Sequence, residues 1–129
     1  MTDRSVDFDA DDLAERLEKL APADIDALPF RVVHLDSAFN IVLYSQTEAR
    51  QSGFGRQPVG EAFFSLTRCM DTDDFRGRIE RAMADGGAVD LEFGWSGDFA
   101  DPRRDIRIRV QSAQNGGVWM CVERDMSAR

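Results

Sequence analysis

The chain has 129 residues, 43% of them apolar and 31% charged, with a net charge of −8. That length suits one domain with a single core, and the composition excludes a disordered chain. The negative charge argues against a nucleic-acid-binding face, and no apolar run is long enough to span a membrane.

The start, MTDRSVDFDADD, is too acidic for a signal peptide, so a cytoplasmic protein is expected. In DADDLAERLEKLAP, Leu13, Leu17 and Leu20 fall on one helical stripe, with acidic residues early and Lys19 late, as the helix dipole prefers. Pro22 and Pro29 bracket a second short turn, ADIDAL. Residues 1–28 therefore predict a helical cap with one apolar face, which has to dock or fray. FRVVHLD and NIVLYS are β-rich runs joined by SAFN, which predicts a hairpin. The next stretch, TEARQSGFGRQPVGEAFFSL, is broken by glycines into short helical pieces. TDDFRGRIERAMADGG reads as a helix capped at Thr72 or Asp73, with Phe75, Ile79, Ala82 and Met83 as its stripe and Gly86 as its end. Three strands follow. Val89, Leu91, Phe93 and Trp95 alternate on one face of the first, and Ile106, Ile108 and Val110 on one face of the second, with its arginines opposite. QNGG turns the chain into the last, VWMCVERD. Two strands, short helices, then three strands predict an α+β class: a five-stranded antiparallel sheet with helices on one face, spanning residues 29–129.

Two cysteines, Cys69 and Cys121, and one histidine, His34, form no metal-ligand set by spacing, and no disulfide is expected in a reducing compartment. Cys69 sits in FFSLTRCMDTDDF between Arg68, which favours a thiolate, and Asp71, Asp73 and Asp74, which oppose it. A thiolate suits attack on an activated acyl donor, although an isolated free cysteine is ordinarily a packing residue. Cys121, between Met120 and Val122, reads as such a packing residue, and His34 has no assigned role. Trp95 and Trp119 read as core aromatics.

Several segments together resemble the photoactive yellow protein family, a group of PAS-fold photoreceptors. They are ADIDALPF leading into VVHLD, then IVLYSQTEARQSG, VGEAFF, a cysteine followed by DTDDFRGR, and VWMCVER. The resemblance covers about Leu13 to Arg124. Its specific part is a tyrosine, a glutamate four positions later, and a cysteine in the loop after the paired phenylalanines. It implies a p-coumaric acid chromophore held as a thioester on Cys69, with Tyr44 and Glu48 hydrogen-bonded to its phenolate oxygen. Glu48 is then expected to face inward, protonated, as a donor, since burial and a neighbouring negative charge both favour the neutral carboxyl. Ser52 stands where the family has a threonine bonded to the tyrosine. Phe63, Trp95 and Phe99 complete the expected pocket, Phe99 standing for a family methionine. Arg68 replaces the family's proline before the cysteine, the preceding loop is one residue shorter, and Phe54 takes the place of a shielding arginine, with Arg56 two places on.

These expectations describe a blue-light receptor, not an enzyme, that signals by trans–cis isomerisation, proton transfer and partial unfolding to an unknown downstream protein, as a monomer or weak homodimer. Two other readings remain at this point. One is a PAS module that binds a different ligand non-covalently. The other is a dimerisation module that pairs through the Leu13, Leu17 and Leu20 stripe.

Overall fold

The computed structural model describes residues 6–48, 58–86, 88–96, 105–114 and 116–124, with backbone alone for Cys69, Trp95, Ser96, Asp105 and Arg124. Helices α1 (Leu13–Glu18) and α2 (Pro22–Asp26) come first, followed by strands β1 (Arg31–Leu35) and β2 (Ile41–Tyr44). After a helical turn at 46–48 come α3 (Phe63–Leu66), a 3₁₀ turn (Arg68–Met70), a π-turn (Asp73–Gly77) and α4 (Arg78–Ala84). Strands β3 (Asp90–Ser96), β4 (Asp105–Ser112) and β5 (Val118–Arg124) follow. The five strands form one sheet in the order β2-β1-β5-β4-β3, with every neighbouring pair antiparallel. This is the α+β arrangement that the alternation predicts.

The period of two gives the sheet two apolar faces. On the inner face, Val33 and Leu35 of β1, Ile106, Ile108 and Val110 of β4, and Val118, Met120 and Val122 of β5 join Phe63, Phe64, Met70, Phe75 and Ile79 from the helical side. Phe75 is fully buried between Phe64 and Phe93, with ring centroids 6.2 and 4.6 Å away. Thr72 caps the π-turn by accepting the Phe75 N–H at 3.2 Å, as the sequence predicts for the helix start. Gly86, at φ +72°, ends α4 in the left-handed region that glycine adopts without strain.

On the outer face, Val32, Trp119 and Cys121 meet Val6, Phe8, Leu13, Ala14, Leu17, Ile25, Leu28 and Phe30. The leucine stripe is thus used within the chain: Leu13 is 2% exposed and Leu17 0%. That burial removes the feature on which the dimerisation reading rested.

A polar seam surrounds this outer core. Arg109, buried on β4, donates to the carbonyls of Phe8 and Ala10, both at 2.7 Å. Gln111 accepts the Ala14 N–H at 2.8 Å and donates to the Asp11 carbonyl at 2.9 Å. Glu18 accepts from the Gln114 backbone at 2.8 Å and the Trp119 indole at 3.0 Å. The β4 arginines point away from the inner core, as expected, but contacts with the N-terminal segment cover them.

Two predictions follow from this packing. Phe75→Ala removes a fully buried ring and should cost about 3–5 kcal/mol in denaturant unfolding, with an unchanged denaturant slope. Arg109→Met keeps an apolar stem but leaves two carbonyls without their charged donor. It should cost about 2–4 kcal/mol and speed amide exchange over residues 6–28 more than in β4 and β5. Uniform acceleration across the whole chain would show that the seam does not act locally.

Candidate functional site

A cluster of polar side chains interrupts the apolar inner face near the start of β1. Arg31 is the first residue of that strand and pairs with Val122 on β5. Alternation puts it on the same face as Val33 and Leu35, so its side chain is directed inward and is 5% exposed. Tyr44, the last residue of β2, pairs with Val33 and belongs to the inner core.

The chain then folds back in the turn at 46–48. Ser45 fixes this turn by accepting N–H groups from both Val32 and Glu48, each at 3.1 Å. The Gln46 N–H reaches Asp26 at 2.9 Å, and the Thr47 hydroxyl donates to the Leu28 carbonyl at 2.8 Å. The turn is therefore tied to β1 and to the end of α2, which delivers Glu48 into the interior. Its carboxylate oxygen Oε2 accepts from Arg31 Nε at 3.0 Å and Nη2 at 2.9 Å. Both side chains are almost fully buried, at 5% and 6% exposure.

Glu48 faces inward, as expected, but in the company of a guanidinium that the sequence reading did not assign. The missed signal was an arginine within the apolar run FRVVHLD, in phase with Val33 and Leu35.

The cysteine loop approaches from the helical layer. Phe63 is buried in the inner core, and its carbonyl accepts from the N–H of Thr67 at 3.0 Å and from the Thr67 hydroxyl at 2.9 Å. That double acceptance ends α3. Met70 N–H then bonds the Thr67 carbonyl at 2.9 Å and sets the 3₁₀ turn. Cys69 takes its backbone position inside this turn, next to Met70, which shares the inner core with Tyr44 and Phe63.

Two of the acidic neighbours are paired with arginines: Asp71 with Arg76 at 3.1 Å and Asp73 with Arg81 at 2.8 Å. Arg76 also lies over the rings of Phe39 and Phe64, 5.7 and 5.0 Å from their centroids.

The remaining expected site residues are placed as follows. Trp95 lies on β3, paired in register with Ile106. Ser52 and Phe99 lie outside the described residues, as do Phe54 and Arg56. Cys121 is buried on the outer face against the N-terminal segment, so β5 separates it from Tyr44 and Glu48. Burial pushes its thiol well up from the ordinary cysteine range, and the nearby Arg109 only partly opposes this. His34, also on the outer face, stacks on Trp119 with centroids 4.1 Å apart. Among the described residues no group of three or more His, Cys, Asp or Glu side chains is arranged to hold a metal, and no helix is long and apolar enough to cross a membrane.

No family model matches the sequence. Individual proteins do. The chain is 28% identical over 122 residues to the photoactive yellow protein of Rhodothalassium salexigens, covering 92% of this chain and 97% of that one. It is 24% identical over 124 residues to the photoactive yellow protein of Halochromatium salexigens, with the same coverage of 92% and 97%. Its fold matches the photoactive yellow protein domain of the sensor histidine kinase Ppr from Rhodospirillum centenum, with a TM-score of 0.70 and 28% identity over 82% of this chain and 94% of that one. A sensory box sensor histidine kinase from Vibrio cholerae shares the fold alone, with a TM-score of 0.55 and 18% identity over 88% of this chain and 90% of that one. Sequence and fold together make this chain a PAS-fold relative of the photoactive yellow proteins.

Proposed function

We propose that this protein is a blue-light receptor that carries p-coumaric acid as a thioester on Cys69. The observations that carry this reading are the buried Arg31–Glu48 pair and the inward-facing Tyr44 of an apolar, aromatic inner core, in a chain related to the photoactive yellow proteins. An aromatic acyl group with a phenolic oxygen fits that donor set: apolar residues suit its ring, and the polar group suits its oxygen. When bound, such a group supplies a double bond that light isomerises and an oxygen that gains or loses a proton.

The chain supplies the rest. The Cys69 sulfur takes the acyl group from an activated donor; the new C–S bond forms as the bond to the leaving group breaks, and the thiol proton goes to solvent. Tyr44 orients the phenolic oxygen from the sheet side by hydrogen bonding. Glu48 takes part in proton exchange with that oxygen. Ser52 supports Tyr44, and Phe63, Trp95 and Phe99 shape the walls.

A change of charge at this buried group is costly, so it strains the elements that hold it. Asp26 and Leu28 tie the Glu48 turn to the N-terminal segment, and hydrogen bonds from Arg109 and Gln111, and from the Trp119 indole to Glu18, hold that segment to the sheet. Loosening residues 1–28 is the proposed signal, offered to a downstream signalling protein. Related domains belong to sensor histidine kinases, which supports a signalling partner. This role requires no enzymatic turnover.

Intact mass after incubation with an activated p-coumaroyl ester tests attachment. One added acyl group is expected in the wild type, together with a visible absorption band, and both should be absent in Cys69→Ser. Cys121 should stay unmodified in the native protein, because its thiolate is scarce and its side chain is covered. Acylation that persists in Cys69→Ser would place the attachment elsewhere. Failure of the wild type to take up the acyl group would favour a non-covalent ligand.

A further inference from the structure

The two edges of the sheet are finished differently. At the β2 edge the chain covers itself. The Ile41 N–H donates to the Glu61 carbonyl at 2.9 Å, the Gly60 N–H donates to the Ile41 carbonyl at 2.8 Å, and Asn40 bridges to Ala62. At the opposite edge lies β3, paired among the described residues with β4 alone. Its register with β4 runs from Asp90↔Gln111 to Ser96↔Asp105 without a bulge, and the strand contains no proline or lysine. Those are the devices that ordinarily stop a regular edge from accepting another strand.

The phase of the ladder fixes which backbone groups of β3 face outward. The Ser112 N–H donates to the Val89 carbonyl at 3.1 Å, so these two residues form a hydrogen-bonded pair. Alternation from there turns the N–H and C=O groups of Leu91, Phe93 and Trp95 toward β4, and those of Asp90, Glu92, Gly94 and Ser96 away from it. The outward set is symmetric about Phe93. Two copies meeting antiparallel about that residue set Glu92 opposite Gly94 and Asp90 opposite Ser96, so no acidic residue faces another. A register centred on Glu92 opposes Glu92 to itself. One centred on Gly94 leaves Asp90 beyond the end of the second strand.

We propose that β3 is a homodimerisation edge, where β3 of a second copy pairs antiparallel about Phe93 and continues the sheet across both molecules. The occupant is another copy of this chain because the edge complements itself in hydrogen-bond phase and in charge in that one register. This surface is separate from the Leu13 and Leu17 stripe, which is buried within the chain, and it does not depend on the proposed chromophore. Two features keep the association weak. Each copy carries a net charge of −8, and the Arg78 guanidinium lies 4.6 Å from the Phe93 ring centroid, so like charges approach the axis. Added salt screens both and favours the dimer.

Gly94 supplies the discriminating test. A Cβ there meets nothing within 4 Å, so a side chain is accommodated. In the dimer it stands opposite Glu92 of the second copy, whereas within one chain it is paired in register with Arg107. The two neighbours have opposite charges, so they predict opposite signs. By analytical ultracentrifugation of the full chain at one ionic strength, Gly94→Lys should tighten dimerisation and Gly94→Glu weaken it, each by roughly threefold to tenfold, since two cross-strand pairs change per dimer. The same substitutions at Ser65, exposed on α3, alter the net charge equally and should change association much less. Amide exchange locates the contact. The Glu92 and Gly94 amides should become protected as protein concentration rises, while those of Leu91 and Phe93, bonded to β4, stay protected at every dilution. A monomer at all concentrations overturns the proposal. So does a dimer in which Glu92 and Gly94 exchange freely, or tightening by Gly94→Glu. Protection of both outward amides even at high dilution also overturns it, because the edge is then covered within one chain.

Discussion

The two-sidedness of β5 is the constraint on which the rest of this molecule depends. It lies in the middle of the sheet, hydrogen-bonded to β1 on one side and β4 on the other. Val118, Met120 and Val122 supply the inner core, while Trp119 and Cys121 supply the outer one. A slip of one residue would exchange these sets and expose both. Gly117 protects the register at the strand's entry: a Cβ there would collide with the Leu35 carbonyl oxygen and lie 2.6 Å from the Asp36 carbonyl carbon. Backbone closeness at this turn, not turn flexibility in general, requires a glycine.

The two faces that β5 separates are held differently. The inner face is mostly apolar contact, with edge-on and tilted phenylalanines whose packing contributes through buried area. The outer face has an apolar centre rimmed by hydrogen bonds from side chains to distant backbone. Arg109 and Gln111 donate, and Glu18 accepts from the Gln114 N–H, across about a hundred positions of sequence. Directional bonds of this kind specify where the N-terminal segment sits, but their net contribution to stability is modest because water competes for the same groups. A segment held this way is suited to local release without loss of the sheet.

The same geometry places a charge pair where an apolar residue would pack more cheaply. Arg31 begins an inward-facing column that continues with Val33 and Leu35. Burying its guanidinium is unfavourable unless a partner is fixed in place, and Glu48 is fixed by its own turn. The pair binds β1 to the turn after β2. Cys121, by contrast, lies on the covered side of the sheet with a thiol pushed toward its neutral form.

What the sequence determined by itself was local and periodic. Alternation in VWMCVERD and DIRIRVQSA assigned residues to faces, the leucine spacing marked an amphipathic first helix, and Thr72 and Gly86 marked the ends of the helical segment between β2 and β3. Each signal rests on chain geometry within a few residues, so no tertiary information was needed. The burial of Phe63, Tyr44 and Glu48 was legible only through likeness to a family, because a glutamate in a short turn is ordinarily a solvated charge. Tertiary structure alone decided the partners. Arg31 meets Glu48, Arg109 meets Phe8 and Ala10, and Glu18 meets Trp119 only after strands distant in sequence pair and the N-terminal segment docks. An arginine in a strand carries the same local signal whether it meets water, a carbonyl or a carboxylate. Its role is set by what the fold brings within about 3 Å, where charge-assisted hydrogen bonds form.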